Sequence, residues 1–450
     1  MTRFHLLPLV ALLLAGCVNL APDYRQPAPA IPPGASASVP AQDPSQLGRS
    51  DFFVDARLRA TVELALAHNR DLRVSMLNVQ RARAQSRIQD AARLPGLDAS
   101  AGASRSNNGT SLSVGLGLSA FELDLFGRVR NLSVAALQSY FATDEGRRSA
   151  EISLVAEVAN AWLMLAADLE RQRLAGQTLD TRRSSLALDE RRHALGAITG
   201  LALAQSQSLV DSSRLEIARY AAQVEQDRHA LDLLLGTALP AELLPASEQN
   251  LADTSRLVDL PAGVPAELLQ RRPDVLQAEH QLRGSVAQIG VARAAFFPRI
   301  SLTASAGTAS RELSGLFKSG SWSFGPSASL PIFDGGANAA ALGSARLDRD
   351  ISLAQYDKAV QTAFREVADA LSVRASLAER LDAQRALVAN AERQLSLAQA
   401  LHRAGSTGML EVLDAQRALY AAQQSLIDLR LTEQSNRLDL YKVLGGGWKA

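Results

Sequence analysis

The sequence predicts an α+β membrane protein, internally duplicated, in which pairs of short β-strands lead into very long α-helices. Three observations predict it: an export signal at the N-terminus, one architectural unit that occurs twice, and an alternating hydrophobic pattern confined to a few short stretches.

The export signal fixes the compartment. Arg3 precedes an apolar run from Leu6 to Leu14, and small residues follow, the layout of a secretory signal. The run is too short to cross a bilayer as a helix. It ends in Leu14-Ala15-Gly16-Cys17, the form of a bacterial lipobox, so residues 1–16 are expected to be removed and Cys17 to carry covalent lipid. Acyl chains bind membrane at about 0.8 kcal/mol per buried methylene, enough to anchor the chain. Val18 after the cysteine, rather than Asp, directs the product to the outer membrane of a Gram-negative bacterium. Cys17 is the one cysteine in the chain, which excludes an intramolecular disulfide framework and any multi-cysteine metal site. Residues 17–56, Pro-, Ala- and Ser-rich from Pro22 to Pro44, read as an extended tether.

Composition narrows the function classes. A formal net charge of +1 leaves no basic surface for nucleic acid. With 5% aromatic residues the chain is poorly supplied for one compact core, and its Ala, Leu, Gln and Arg suit long exposed helices.

The duplication appears on self-alignment. Arg192 to Gly196 matches Leu401 to Gly405, with His193 and His402 separated by 209 positions. The same separation relates Leu235-Gly236 to Leu444-Gly445 and Val158 to Val367. Upstream, Asp71 matches Asp274 and Pro95 matches Pro298, both at 203 positions. The change of separation falls within residues 97–126 and 300–333. The first repeat therefore covers 57–235, a Pro-containing connection 236–265, and the second repeat 266–450.

Within those two segments the hydrophobic period switches from helical to alternating. Ser111 to Ser119 places Leu or Val at every second position with Ser or Gly between, and Ser321 to Gly325 begins the same pattern. Strands are predicted at about 97–105, 111–122, 300–309 and 320–331. An apolar face backed by small polar residues is what a barrel wall needs between lipid and a watery lumen. Four strands cannot close, and open edges are not tolerated in lipid, so the chain must share its strands with other copies. Eight strands leave an interior filled by side chains; three copies would make a twelve-stranded barrel, and the pattern by itself leaves four copies open.

The helices are long. Arg128 to Leu195 and Ala337 to Ala404 would each span about 100 Å if continuous, with Gly176 a candidate break in the first. Ile152, Val155, Ala159, Trp162, Ala166 and Leu169 recur at spacings of 3 and 4, as in coiled-coil packing. Each long helix meets a Gly-bounded reversal, Gly196 to Gly200 or Gly405 to Gly408. Return helices run from Leu201 to Leu235 and from Leu410 to Leu444. The stretches Arg57 to Arg93 and Ala266 to Ala295 climb to the first and third strands.

No catalytic constellation is present: no Gly-rich phosphate loop followed by Lys, no nucleophile elbow and no HExxH. An enzyme is not expected, nor a metal or cofactor beyond the lipid on Cys17. His193 and His402 precede turns, which suits a helix-terminal role better than ligation.

Several blocks resemble one family. Phe121 to Arg128, Arg272-Pro273-Asp274, Phe297 to Leu302, Pro331 to Gly336, Leu413 to Arg417 and Tyr441 to Trp448 are similar, in order, to the recurring blocks of TolC-like outer-membrane factors, in the lipoprotein (NodT-type) branch. The resemblance covers essentially the whole chain. It implies a homotrimer whose twelve-stranded β-barrel continues into a long periplasmic α-helical barrel. It also implies a periplasmic adaptor (membrane fusion protein) and an inner-membrane transporter of the resistance-nodulation-division type as partners. The expected function is an outer-membrane channel that conducts drugs or other toxic small molecules outward. The family match makes Leu410, Glu411 and Asp414 a periplasmic gate; Leu410 and Asp414, four apart, share a helix face. Leu201 and Gln205 occupy the aligned first-copy positions, so an acidic ring would come from the second copy only. The turns, with Gly196, Thr199, Gly200, Gly405, Ser406, Thr407 and Gly408, are the expected adaptor-docking sites. Two alternatives stay open at this point: a structural lipoprotein scaffold without transport, and a duct for type I secretion.

Overall fold

The computed structural model describes residues 18–28, 48–107, 109–246, 257–258 and 270–446. The chain divides into two compact units, one of residues 1–30, 76–146 and 273–360, the other of residues 31–75, 147–272 and 361–450. The described elements, in order, are α1 (Arg49–Phe52), α2 (Ala56–His68), α3 (Arg70–Ala91), β1 (Asp98–Ser106), β2 (Gly109–Leu123), α4 (Arg128–Ala194), α5 (Gly200–Leu235), α6 (Pro273–Ala294), β3 (Arg299–Ser310), β4 (Gly320–Ser329), α7 (Ala337–Arg403) and α8 (Met409–Val443).

The first unit holds an antiparallel sheet in the order β1-β2-β3-β4, so each repeat contributes one hairpin. Its register keeps the two faces chemically distinct. Leu116 pairs with Ala306 and Ala306 with Trp322, while Gly115 pairs with Gly307 and Gly307 with Ser321. On the polar face, Ser301 bonds Ser327 and Ser305 bonds Ser323, each at 2.8 Å. Gly307 has no room for a side chain, since a Cβ there would lie 2.6 Å from the Val114 carbonyl oxygen. On the other face Trp322 is 80% exposed and Leu116 51% exposed, the reverse of a soluble sheet.

A bulge between Leu118 and Phe121, with Ala120 at φ 46°, keeps the apolar face continuous. Leu118, Phe121 and Leu123 pair with Ala304, Leu302 and Ile300, all on one side of β3. Without the extra residue Phe121 would face the Ser/Gly side. Pro326 lies in β4, the outer strand of the protomer's sheet, opposite Leu302.

The Phe121–Arg128 and Pro331–Gly336 blocks form strand-to-helix corners. Asp124 accepts from the N–H groups of Val129 and Arg130 at 3.1 and 2.7 Å and caps α4. Asp334 does the same for α7, accepting from Gly336 and Asn338 at 2.9 Å each. Glu122 takes two bonds from Arg128, at 2.7 and 2.5 Å, and Phe126 stacks on Phe297 at 4.7 Å. The described part of the tether lies along this region. Val18 N–H donates to the Leu125 carbonyl at 3.0 Å, Asn131 Nδ2 to Asn19 Oδ1 at 2.9 Å, and Arg293 to the Leu20 carbonyl at 3.0 Å.

The second unit is helical, and its core follows the 3-and-4 spacing. Ile152, Val155, Ala159, Trp162 and Ala166 are buried and Leu169 is half-buried. Trp162 donates to the Leu243 carbonyl at 3.0 Å. Both α4 and α7 run for 67 residues, and α4 passes through Gly176 unbroken; a Cβ there would meet nothing within 4 Å, so neither a turn nor a close approach requires that glycine.

Two other features depart from the sequence pattern. The climb from Arg57 to Arg93 is two helices, because Asn69 leaves the helical region and its Oδ1 caps α3 by accepting from Leu72 N–H at 2.7 Å. Its amide also donates to the Leu234 carbonyl at 2.8 Å. Phe52 and Phe53, inside the segment assigned to the tether, are fully buried, with Phe52 stacked 3.9 Å from Tyr441. They are core residues, so residues 49–56 belong to the folded unit and not to the tether.

Candidate channel aperture and helix reversals

The reversal after each long helix is built by glycine in the left-handed region. Gly196 (φ 73°) donates to the His193 carbonyl at 2.9 Å and Ala197 to Arg192 at 2.8 Å. Gly405 (φ 72°) donates to His402 at 3.0 Å and Ser406 to Leu401 at 2.9 Å. Both are Schellman closures. The repeated histidines brace the loops. His193 Nδ1 lies 3.2 Å from the Ile198 carbonyl, and His402 Nδ1 lies 3.2 Å from that of Thr407. A carbonyl only accepts, so Nδ1 carries the proton in each ring. His402 Nε2 is then the acceptor for Arg192 Nη1, at 2.9 Å, which joins the ends of α4 and α7.

The seven turn residues separate by role. Thr199 Oγ accepts from Ala202 N–H at 3.2 Å and caps α5. Thr407 Oγ1 is buried with no hydrogen-bond partner among the described residues, whereas Ser406 is exposed. Gly200 and Gly408 have ordinary backbone angles, and a Cβ on Gly408 would come 3.2 Å from Glu411 Oε2.

The three aperture residues lie on the first turns of α8. Leu410 is 52% exposed, and both acids are exposed. Glu411 falls in the first turn, where a carboxylate meets the free N–H groups and the positive end of the helix dipole. Asp414 lies beyond that turn and accepts from Arg417 Nη1 at 3.1 Å. Arg417 closes the Leu413–Arg417 block, and its i, i+3 spacing from Asp414 places the two on one helix face.

A second charged group, not singled out in the sequence, joins three helices of the same unit. Arg171 on α4 bonds Asp168 at 2.5 Å and Asp428 on α8, and Arg430 on α8 reaches Glu170 at 3.4 Å. Asp227 on α5 is 8% exposed; burial, with the Asp168 carboxylate nearby, pushes its carboxyl up to about 6. Ordinary helical charges gave no signal of this meeting. Cys17 lies outside the described residues.

A family model described as "Outer membrane efflux protein" matches residues 61–237 and 264–446, once in each repeat. The chain belongs to the outer membrane efflux protein family. This efflux channel is 45% identical to outer membrane protein OprJ of Pseudomonas aeruginosa over 98% of its own length and 95% of the relative's. It is 42% identical to the probable efflux pump outer membrane protein TtgC of Pseudomonas putida, with the same coverage, and 42% identical to the cation efflux system protein CusC of Escherichia coli over the whole of both chains. A crystal structure of a membrane protein from Pseudomonas aeruginosa superposes with a TM-score of 0.88 at 44% identity, covering 96% of this chain and 98% of that one. The open state of the MtrE outer membrane channel of Neisseria gonorrhoeae gives 0.88 at 39% identity, covering 96% and 99%. The fold is that of a trimeric outer-membrane channel, with a β-barrel to which each protomer gives four strands and a long tunnel of helices. The protein is an outer-membrane component of an efflux pump of a Gram-negative bacterium.

Proposed function

We propose that this channel is the lipid-anchored duct of a tripartite pump that expels toxic small molecules. It receives them from a resistance-nodulation-division transporter through a periplasmic adaptor docked on the Gly196–Gly200 and Gly405–Gly408 turns. The sheet carries the duct reading: its Ser/Gly face and two edge strands have a use only when other copies close it around water. The lipid on Cys17 is supported by the tether. Val18, the residue after Cys17, donates its N–H to the Leu125 carbonyl just beyond β2, so the described start of the tether is fixed beside the sheet.

Leu410 and Asp414 form the aperture in this reading, with Glu411 beside them. Threefold symmetry makes Leu410 an apolar ring, and each Asp414 arrives already paired with Arg417, so the ring carries far less negative charge than bare carboxylates would. Such a ring restricts by size and wetting more than by charge. The relatives' names mention both cation efflux and, for pseudomonad proteins, antibiotic and toluene efflux, a range that supports a permissive duct with selectivity in the inner-membrane partner.

The purified protein in a planar bilayer is expected to pass ions, and a deletion strain to become sensitive to dyes, antibiotics and detergents. Absence of conductance would return the scaffold reading. Sensitivity confined to metal salts would reassign the cargo to cations.

A further inference from the structure

A cavity of about 190 Å³ in the helical unit lies between α4, α7 and α8. Its lining contains one cation, Arg182, and no carboxylate; the rest is Leu, Thr, Gln and Tyr. Arg182 is 6% exposed. Its Nη1 donates to the Leu209 carbonyl at 3.0 Å and to the hydroxyls of Ser212 and Ser213 at 3.1 and 2.8 Å, all on α5. Those acceptors are neutral, so among the described residues the charge has no counter-ion. A buried, uncompensated guanidinium is strongly unfavourable unless something neutralises it.

Three of the lining side chains also keep an unused donor. Arg182 Nε, Gln416 Nε2 and the Tyr420 hydroxyl are each buried with no hydrogen-bond partner among the described residues. Gln416 is 7% exposed, and the Tyr420 ring lies 5.7 Å from the guanidinium carbon. Burial pushes the Tyr420 phenol up to about 12, which leaves it a proton donor at neutral pH. The lining hydroxyls of Thr178 and Thr181 already donate to the Leu174 and Gln177 carbonyls, at 2.8 and 3.0 Å. A lining with one positive charge, three unused donors and no carboxylate describes a receptor for negative charge.

We propose that this cavity binds one small monovalent anion of halide size per protomer, held by Arg182, Gln416 and Tyr420. A dianion would exceed the single cation of the lining. The bound ion ties α4 to α8, the helix on which Leu410 and Asp414 lie, and supplies the counter-charge that Arg182 otherwise lacks.

Crystals of the full trimer grown in sodium bromide test this directly by anomalous scattering. One bromide peak per protomer is expected within hydrogen-bonding distance of Arg182 and Gln416. Replacing chloride by gluconate should also lower the melting temperature of the wild type but not that of Arg182→Met. If Arg182→Met does not assemble, Gln416→Leu, which keeps the cation, should weaken the chloride dependence, and the bromide measurement needs no variant. The proposal is overturned by a wild-type map without bromide in the cavity, or by a carboxylate of a neighbouring subunit bonded to Arg182. Equal chloride dependence in wild type and variant overturns it as well.

Discussion

The two helix reversals share a backbone and differ in what they present. Both close on a left-handed glycine, Gly196 or Gly405, and both are braced by a histidine to the carbonyl five residues on. At the start of the return helix they part. The first copy caps α5 with the Thr199 hydroxyl and has no acid in the first turn. The second copy has Gly408 at the cap position with no side-chain bond, and places Glu411 in the first turn instead. Glu411 thus has a helix-dipole reason for its place, whereas Asp414, further along, has none. The shared backbone is what any helix reversal here needs. Among the aperture residues the difference lies in the acids: Leu410 matches Leu201, whereas Glu411 and Asp414 stand opposite Ala202 and Gln205.

The largest expected effect separates turn geometry from turn surface. A Cβ on Gly196 or Gly405 would meet nothing within 4 Å, so the only penalty for alanine is the left-handed backbone, about 1–2 kcal/mol. Gly405→Ala should therefore assemble trimers and retain much of its export. Gly405→Trp pays the same backbone penalty but adds a large exposed side chain, and should abolish export while trimers persist on a semi-native gel. If the alanine variant loses trimers too, the glycine serves folding alone and adaptor docking at this turn is refuted. Gly196→Trp asks whether both copies dock.

Next comes the aperture. Leu410→Ala with Asp414→Ala should raise single-channel conductance severalfold, whereas the aligned first-copy pair, Leu201→Ala with Gln205→Ala, should leave it unchanged. Leu201 is 71% exposed and Leu410 52% exposed, so neither change opens a core cavity. Equal effects from the two pairs would remove the functional asymmetry between the copies. Arg417→Ala leaves Asp414 unpaired and should shift reversal potentials toward cation selectivity.

The duplicated frame was legible because its signals are local. Leu and Val alternating with Ser and Gly mark the hairpins, and glycine marks the reversals. What stayed hidden depends on tertiary proximity or on residues with no special propensity. Ala120 gives no hint of a bulge, yet the bulge decides which way Phe121 faces. Asn69 resembles any helical asparagine until its side chain caps α3. Phe52 and Phe53 lie beside a Pro-rich stretch, and their burial depends on Tyr441, almost four hundred positions away. At the candidate aperture the positions came from the family resemblance, and the pairing of Asp414 with Arg417 came from the structure.

A buried difference between the copies predicts a smaller, pH-dependent effect. Asp227 on α5 corresponds, 209 positions on, to Asn436 on α8, and both are buried. Asn436 donates to the Ala370 carbonyl at 2.9 Å, a neutral bond indifferent to pH. Asp227 receives Gln223 Nε2 at 3.0 Å and faces Asp168, itself bonded to Arg171, which also holds Asp428. Its folded-state value, about 6, lies above the ordinary carboxylate value of about 4, so the protonated form is the one the fold prefers. The stability tied to that proton is fully present below about pH 4 and lost as pH rises through about 6. The wild type should lose a few degrees of melting temperature across that window relative to Asp227→Asn, which copies the second repeat. Parallel melting curves would mean that Asp227 is ionised throughout.

The smallest effect returns to the reversals. His402 makes two bonds, Nδ1 to Thr407 and Nε2 from Arg192, while His193 makes the one to Ile198. Each such bond contributes about 1 kcal/mol net, and these are partly exposed, so the values fall at the low end. His402→Ala should speed hydrogen exchange in both reversals, because Arg192 belongs to the first and Thr407 to the second. His193→Ala should loosen only the residues around Ile198. If His402→Ala disturbs its own loop alone, the contact with Arg192 is not holding the ends of α4 and α7 together, and the two turns move as separate elements.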